Sequence, residues 1–433
     1  MNKMSYLDYI LQWNDGVMTD NSIEKVNIDS IEPHQGTDLN KSGELRMVIN
    51  NEDQFIHPSR SHLYIEGVLE PKTGRKYEAT DHDKVGLVNN GIMYLFNRVE
   101  YKIGDKKIEG YYEPGRATTM KGLLTYPREY TEGMAFHWKL DDAEKTVGNE
   151  GFKQRAAYIH NGHGHFSVLI PLTHIFGFCE NYEKVMYGLK HELLLYRRSP
   201  DDDAILKSDE KDGANDAVAK AVVKLTKVSW RMPRIYPSDE AKVKLYKDIE
   251  SKKTLPIQFL HRQCESLTLN SDQKHMDWKF SLPSGSERPR YIILGFQKDK
   301  YEDQNTNSGV FDHLQIENAR VELNGDYYPN TDMNLDWKNN KFTLAYQTVV
   351  DYLQTVANKE SCSIRFQEYR PLYPLLVFDV SRQREKLKGG VSDIRIKANF
   401  DSNTNTKCRA YALVLSDREI SLQCDGERMH VIE

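Results

Sequence analysis

The sequence has few cysteines, and they lie far apart. No two of the five are separated by only two residues, so the Cys-x-x-Cys pairs of zinc ribbons and thiol oxidoreductases are missing; they are Cys179, Cys264, Cys362, Cys408 and Cys424. Scattered cysteines of this kind are typical of a reducing compartment. They exclude the disulfide framework of a small secreted domain.

Long apolar runs are also missing. The chain contains no stretch of about 18 apolar residues, so the sequence predicts no membrane-spanning helix. The first residues, Met1–Ile10, lack the apolar core of a secretory signal peptide. We therefore expect a soluble protein that works in the cytosol or the nucleus.

The sequence lacks a basic region. The formal net charge is −5, and the first 40 residues contain only Lys3 and Lys25 against seven acidic residues. A protein that binds nucleic acid directly normally carries a basic domain or arm. We therefore predict an acidic N-terminal arm over residues 1–40 and no direct binding of nucleic acid.

Standard catalytic motifs are absent too. The sequence contains no Gly-x-Ser-x-Gly, no His-Glu-x-x-His, no phosphate-binding Gly-Lys-Ser/Thr loop and no dinucleotide-binding Gly-x-Gly-x-x-Gly. These absences do not exclude an enzyme, but they favour a structural or binding role.

The residues that most resemble a metal site are His160, His163 and His165. A His-x-His pair on a β-sandwich could hold a metal, as in cupin enzymes. The cupin pattern also needs a glutamate a few residues later, but the next one is Glu180, and the second half of the chain does not repeat the histidines. We therefore predict solvated or hydrogen-bonded histidines in a glycine-rich loop, with no metal, no cofactor, no catalytic residue and no enzymatic activity.

Two alternatives remain open at this point. One is a tandem β-sandwich enzyme, either a two-cupin metal enzyme or a glycan-processing hydrolase, and the other is a tandem sandwich that binds sugars or chaperone clients. Tryptophans could stack on sugar rings, and the chain has five: Trp13, Trp138, Trp230, Trp278 and Trp337. Trp230 and Trp278 lie within strand patterns, so we predict that these two belong to the core.

What the sequence does contain is an internal repeat. The segment Arg98–Asp105 returns as Ala319–Asp326, about half of the chain later. Each copy predicts a strand that runs into a hairpin, at Gly104-Asp105 in the first half and at Gly325-Asp326 in the second. In both halves a hydrophobic strand precedes this segment and a proline-punctuated apolar run follows it. The pattern indicates two copies of one domain.

Strand patterns dominate both halves. They are short, rich in β-branched and aromatic residues, and separated by glycine, proline or asparagine, which is typical of sandwiches and barrels. We predict an all-β chain with two tandem eight-stranded jelly-roll β-sandwiches and short inserted helices. The first jelly roll is predicted over residues 41–218 and the second over residues 219–433.

A few segments depart from the strand pattern. The sequence predicts helices over Gly115–Tyr126 and Phe342–Val356, which follow the two predicted hairpins, and over Asp239–Lys252. Gly91–Ile103 is predicted as one continuous strand. The acidic, turn-rich segment Ser199–Asp216 is predicted as a long exposed loop close to the domain boundary.

Three segments carry a resemblance to a known family: Asn89–Glu100, Ile170–Leu195 and Ser286–Gln297. The first has an Asn-rich turn before a Leu-Phe-x-x-Val-Glu run, and the last has an Arg-Pro-Arg sequence that leads to Phe-Gln. On these segments the chain resembles the double jelly-roll major capsid proteins of Polinton (Maverick) elements and of adintovirus-like viruses. The resemblance covers roughly residues 40–433.

The resemblance implies a structural subunit of a virion capsid, assembled in the cytoplasm or nucleus of a host. Three chains with two jelly rolls each are implied to form a homotrimer, a pseudo-hexameric capsomer that tiles an icosahedral shell. The implied partners are neighbouring capsomers and a penton or minor capsid protein. The arm over residues 1–40 is then expected to lie along the inner face of the shell or along a neighbouring capsomer.

Overall fold

A computed structural model describes most of the chain. The described ranges are residues 22–34, 36–50, 54–72, 77–208, 211–212, 216–217, 220–251, 254–282, 287–356, 363–382, 393–401, 407–424 and 429–432. All statements below refer to these residues.

Eight main strands belong to each half of the described chain, and we number them in chain order. The first half contains β1 (Ile23–Ile31), β2 (Gly43–Ile49), β3 (His62–Pro71), β4 (Phe96–Ile103), β5 (Lys106–Tyr112), β6 (His165–Pro171), β7 (His191–Arg197) and β8 (Ala221–Pro237). The second half contains β9 (Leu255–Leu269), β10 (His275–Ser281), β11 (Arg288–Lys298), β12 (Ile316–Leu323), β13 (Asp326–Tyr328), β14 (Leu376–Asp379), β15 (Asp393–Phe400) and β16 (Cys408–Cys424).

The two halves have the same strand order. In the first half one sheet runs β1-β8-β3-β6 and the other β2-β7-β4-β5, all antiparallel. In the second half the corresponding sheets run β9-β16-β11-β14 and β10-β15-β12-β13. Each strand of the second half therefore takes the place of the strand numbered eight lower. The predicted pair of tandem jelly rolls is confirmed.

Helices and minor strands fill the connections. The helices are α1 (Pro114–Leu123), α2 (Glu150–Asn161), α3 (Leu172–Ile175), α4 (Gly177–Asn181), α5 (Asp239–Glu250), α6 (Thr343–Thr355) and α7 (Phe366–Leu372). Short 3-10 turns occupy Pro58–Arg60, Ala79–Asp81, Gly91–Leu95, Gly133–Phe136 and Asp202–Ala204. The minor strands are Phe55–Ile56, Val85–Leu87, Met186–Tyr187, Ile205–Lys207, Lys211–Asp212, Asp216–Ala217 and Met429–Ile432.

Each sandwich has its core between its two sheets. In the first sandwich the Tyr101 ring of β4 meets the Trp230 ring of β8, with centroids 5.8 Å apart. In the second, Phe296 of β11 and Phe400 of β15 make the same kind of contact at 5.8 Å. All four side chains are buried. The alternation of buried and exposed residues along the strands, with one face turned inward, produces these two cores.

The repeated segment lies in equivalent hairpins, but the turns differ by one residue. The β4–β5 turn consists of Gly104 and Asp105, whereas the β12–β13 turn consists of Asn324 and Gly325. Asn324 and Gly325 both have positive φ, 50° and 89°, which is the conformation of a type I′ turn. The Asn-Gly pair therefore makes the turn in the second half, and Gly325-Asp326, where we predicted it, does not.

The strand pairings differ from the predicted boundaries of the first jelly roll. Strand β1 lies inside the predicted arm of residues 1–40, and it pairs with β8 from Ile23 opposite Pro237 to Ile31 opposite Trp230. Strand β8 begins at Ala221, which is inside the predicted second jelly roll, yet it pairs with β3. The predicted boundaries were drawn from composition. The acidic residues of β1 resemble an arm and the polar segment before β8 resembles a linker, but the two strands pair in one sheet. Residues 1–21 and the predicted boundary at 218/219 lie outside the described residues.

Three other predictions concern local structure. Helices α1 and α6 follow the two hairpins, and α5 follows β8, as predicted. The predicted strand Gly91–Ile103 is wrong in its first part, because Asn90 has a φ of 60° and Gly91–Leu95 forms a 3-10 turn. The predicted exposed loop Ser199–Asp216 is also corrected, since Ile205–Lys207 pairs with Val85–Leu87 and is buried.

Candidate functional site: the junction between the two sandwiches

A buried arginine of the first sandwich reaches into the second. Arg116 lies in the first turn of α1, and its Nε donates to Oε1 of Gln297 in β11 at 2.9 Å. Its Nη1 donates to carboxylate oxygens of Glu113 and Asp203, each at 2.9 Å. Its Nη2 donates to the carbonyl of Lys300 at 3.1 Å. The fully buried guanidinium therefore has partners from both sandwiches.

The electrostatics of this cluster favour the ionised pair. Burial opposes ionisation of the Asp203 carboxyl, but the charges of Arg116 and Arg198 outweigh burial and lower its pKa. The ring of Tyr411 in β16 lies 4.7 Å from the Arg116 guanidinium carbon and adds a cation–π contact. A buried charge needs such compensation, because leaving one partner unpaired costs several kcal/mol.

Local backbone geometry places Arg116 at this point. Glu113 adopts a left-handed conformation with a φ of 51°, and Pro114 begins the helix. Gly115 follows because a Cβ at this position would lie 2.5 Å from the ring of Tyr94. The close approach of α1 to the 3-10 turn beneath it brings the arginine over the neighbouring sheet.

A second buried arginine, Arg262, reaches from the second sandwich into the first. Arg262 in β9 donates to the carbonyls of Thr173, His174 and Ile175 in the first sandwich, at 3.0, 2.5 and 2.9 Å. It also forms an ion pair with Glu180 at 2.7 Å. Burial opposes ionisation of the Glu180 carboxyl, but Lys121 and Arg262 outweigh burial and lower its pKa to about 2.

The buried carboxylate of Glu109 ties both sandwiches together at the backbone. Its oxygens accept from the amides of Gly177 and Phe178 at 3.1 and 2.9 Å, and from the amide of Arg262 at 2.9 Å. Two of these donors belong to the first sandwich and one to the second. The approach is so close that a Cβ on Gly177 would lie 1.8 Å from the carbonyl oxygen of Leu260.

The insertions between the fifth and sixth strands of each sandwich also meet. Arg128 forms a bidentate pair with Glu368 in α7, at 2.6 and 2.7 Å. Tyr373 of the second insertion bonds to the backbone of the buried Asp141. The Asp141 carboxylate also accepts from Asn307, in the loop between β11 and β12, at 3.0 Å. Together with the Arg116 and Arg262 clusters, these contacts fix the orientation of one sandwich on the other.

The three candidate histidines do not converge. His160 is buried in the last turn of α2, where its Nε2 lies 2.7 Å from the carbonyl oxygen of Val85, whereas His163 and His165 are exposed. The predicted glycine-rich loop is therefore wrong for His160. The missed helix α2 has Asn149 as its N-cap, and the Asn149 side chain accepts from the amide of Phe152.

Other sequence candidates also lie in the core. Trp230 and Trp278 are buried, as predicted, and so are Trp138 and Trp337; Trp13 lies outside the described residues. Within the described ranges, no three His, Cys, Asp or Glu side chains come together in a way that could hold a metal ion. Among the helices of the described residues, none is long and apolar enough to cross a membrane.

A comparison of the sequence with known protein families agrees with the duplicated jelly roll. A model of the double jelly roll-like domain matches residues 85–420, which is well over half of the chain. The chain belongs to the double jelly roll-like domain family. No curated protein sequence matches it.

The chain is similar in structure to several viral proteins. A chain in the cryo-EM structure of the Sputnik virophage has a TM-score of 0.59 and 11% identity, and the match covers 100% of this chain and 93% of that one. The mavirus major capsid protein has a TM-score of 0.59 and 10% identity, with coverage of 100% and 95%. The Faustovirus major capsid protein has a TM-score of 0.54 and 8% identity, with coverage of 96% and 94%.

At these identities the likeness concerns the fold. The described part of the chain has the double jelly-roll fold of major capsid proteins. The mavirus and Faustovirus neighbours are major capsid proteins. The sequence predicted the fold but not the junction residues Asp203 and Glu109. Their roles depend on partners far away in the chain, namely Arg116 for Asp203 and the Arg262 amide for Glu109.

Proposed function

We propose that the chain is a major capsid protein whose three copies form a pseudo-hexameric capsomer of an icosahedral shell. The observation that carries this proposal is the rigid pair of equivalent sandwiches. Arg116 and Arg262 cross the junction in opposite directions, so the two sandwiches act as one block. Six such sandwiches from three chains supply the near-sixfold outline that a hexagonal lattice position requires.

The finer parts of the proposal follow from the sequence resemblance. The segments Asn89–Glu100, Ile170–Leu195 and Ser286–Gln297 support a source among Polinton (Maverick) elements or adintovirus-like viruses. The partners are then neighbouring capsomers and a penton or minor capsid protein, in a virion assembled in the cytoplasm or nucleus of a host. The chain does not bind nucleic acid directly, since its net charge is −5.

The division of the chain is part of the same proposal. The first jelly roll spans residues 23–237 and the second residues 255–432, because these ranges contain all strands of each pair of sheets. Helix α5 connects them.

The described residues do not form the metal site or the sugar-stacking surface that a metal enzyme or a glycan-binding protein would need. His160 points to a backbone carbonyl rather than to His163 and His165, and the described tryptophans are buried rather than exposed for sugar stacking.

The test is the mass and shape of the purified chain. Light scattering is expected to give a trimer, and negative-stain microscopy is expected to show hexagonal particles or closed shells. A monomer at high protein concentration, with no particles on the grid, would contradict the proposed function.

A further inference from the structure

We propose that strand β1 (Ile23–Ile31) is a contact surface for a second copy of itself: the β1 strands of two chains pair antiparallel across a two-fold axis at Asn27 and join two sandwiches edge to edge. In such a contact the same surface of both copies meets, so it does not form among three chains related by a three-fold axis. The pairing of two chains stands by itself, and only its place between neighbouring capsomers rests on the proposed function.

One edge of β1 has no strand beside it within the described part of the chain. Its ladder with β8 runs from Ile23 opposite Pro237 to Ile31 opposite Trp230, and no other described strand pairs with it. None of its nine residues is fully buried. A strand edge of this length presents backbone N–H and C=O groups that can pair with a further strand.

The corresponding strand of the second sandwich, β9, has its edge covered by the first sandwich. The amide of Leu260 donates to Asn181 and the amide of Arg262 donates to Glu109, both at 2.9 Å. No described side chain makes such a contact with the free edge of β1. A strand from another chain can therefore be added at β1, where main-chain hydrogen bonds supply the affinity.

The sequence of β1 is complementary to itself in one antiparallel register. When Asn27 lies opposite Asn27 of the other copy, Lys25 lies opposite Asp29 and Val26 lies opposite Ile28, and each of these pairs occurs twice. Asn27 is the middle residue of the strand, so all nine residues then have a partner. Opposite charges and apolar side chains directly across two strands each stabilise a sheet by about 0.2–1 kcal/mol.

Other registers fit less well. When the axis is at Val26 or Ile28, the lysine and the aspartate both face uncharged residues. When the axis is at Lys25 or Asp29, that residue faces its own copy, and like charges directly opposite each other destabilise a sheet. The charges of β1 therefore select the register that is centred on Asn27.

The two charged residues are available for this pairing. The Lys25 side chain is exposed, and its ammonium lies 6.0 Å from the centre of the Tyr236 ring. Asp29 forms an ion pair with Arg234, but 36% of its side chain remains exposed, so its carboxylate can accept a second cation. Both partners belong to β8, on the side of β1 away from the free edge.

The apolar residues of β1 are available as well. Helix α5 covers a different part of this sheet: the Tyr246 ring contacts Phe55, which pairs with Ile235 on the side of β8 away from β1. With α5 in place, Val26 and Ile28 remain 52% and 56% exposed on one face of the strand. Exposed apolar side chains with charges of both signs beside them fit a specific contact between copies.

A disulfide at the two-fold axis tests the register directly. Residues opposite each other in antiparallel strands have Cα atoms about 4.5–5.5 Å apart, which a disulfide can span. For the full chain with Asn27→Cys, oxidation by copper phenanthroline is expected to give a species of twice the chain mass on a non-reducing gel. In the matched control Ser30→Cys the two new thiols lie about 20 Å apart along the ladder, so neither this variant nor the wild type is expected to give that species.

Charge reversal in the Asn27→Cys chain tests the pairs beside the axis. Lys25→Glu and Asp29→Lys each place like charges opposite each other twice, and we expect the cross-linking rate to fall about fivefold or more in either variant. In an equimolar mixture of the two variants each chain restores the opposite charges of the other, so the rate is expected to recover. Lys41→Glu is the matched control, since Lys41 is 83% exposed outside β1, and it should keep the full rate.

Thermal unfolding checks that each variant is folded. The absence of the cross-linked species in Asn27→Cys, or an equal yield in Ser30→Cys, overturns the pairing of two β1 strands. Equal cross-linking rates with and without Lys25→Glu overturn the register. Each of these results leaves the proposed capsomer intact, because light scattering of the wild-type chain decides that question separately.

Discussion

The Nε of Arg116 lies 2.9 Å from Oε1 of Gln297. This hydrogen bond joins the two sandwiches through two residues that are 181 positions apart in the chain. Both side chains are buried, and the same guanidinium neutralises Asp203 at 2.9 Å. Moving the sandwiches apart would leave the buried Gln297 side chain and the Lys300 carbonyl without this donor, and an unpaired buried polar group is costly. The junction therefore contributes to the stability of the chain as well as to its shape.

Replacing Arg116 by alanine is expected to destabilise the isolated chain strongly. The substitution removes one of the two cations that lie 2.9 Å from the buried Asp203 and leaves only Arg198, and breaking a buried ion pair typically costs about 3–5 kcal/mol. Unfolding in denaturant, followed by tryptophan fluorescence, measures the free energy. The matched control is Arg320→Ala, which removes a pair with the half-exposed Asp332 and should cost about 0–1 kcal/mol. Equal losses in the two variants would show that the junction adds no special stability.

Much of the fold could be predicted from the sequence because the strands are short and regular. The hairpins at the two repeated segments, the helices after them and α5 all follow local rules of turn residues and apolar periodicity. The core positions of Trp230 and Trp278 follow from the same alternation. These features depend on neighbours within a few residues, and the sequence shows such neighbours directly.

The remaining features depend on partners far away in the chain. Strand β1 looks like part of an acidic arm until its pairing with β8 is known, and its Val26 and Ile28 stay exposed. Asp203 lies in a run of three aspartates that resembles a solvent-exposed loop, yet Arg116 and Arg198 hold it in the core. Helix α2 did leave a local signal, namely Asn149 as its N-cap followed by Phe152 and further apolar residues on one face.

Acid is expected to destabilise the folded chain between about pH 6.5 and pH 4.5. Burial lowers the pKa of His137, His174 and His191 to about 3, with the charges of nearby cations adding to the effect at His137 and His174. These residues are neutral when folded and take up a proton near pH 6.5 when unfolded. Their stabilisation is therefore complete above pH 6.5 and is lost as the pH falls toward the folded pKa. Each contributes a slope of about 1 kcal/mol per pH unit.

Two variants separate the buried histidines from the exposed ones. In His191→Gln the loss of unfolding free energy with falling pH should become smaller, because one of the three buried groups no longer titrates. The double variant His163→Asn, His165→Asn changes only exposed histidines and should keep the wild-type slope. A wild-type free energy that does not change between pH 7.5 and pH 4.5 would be incompatible with this account.

Truncation of the N-terminus tests the boundary of the first jelly roll. Deleting residues 1–21 leaves β1 intact, and we expect the melting temperature of the chain to stay unchanged. Deleting residues 1–31 also removes β1, which pairs with β8 up to Trp230. The lost ladder and the uncovered edge should cost about 1–3 kcal/mol. If both deletions left the melting temperature unchanged, β1 would contribute nothing to the sandwich and would be part of the arm after all.

Substituting Gly177 by alanine tests the close contact between the sandwiches most directly. The added Cβ would lie 1.8 Å from the carbonyl oxygen of Leu260, which belongs to β9 of the other sandwich, so backbone must move. Overpacking of this kind costs about 1–3 kcal/mol, and here it also weakens the bonds of Glu109 to the amides of Gly177 and Arg262. Gly43→Ala is the matched control, since no atom lies within 4 Å of its added Cβ and its φ is not positive. Thermal unfolding of both variants should therefore show a lower melting temperature for Gly177→Ala alone, and a wild-type value for it would mean that the two sandwiches do not approach each other at α4.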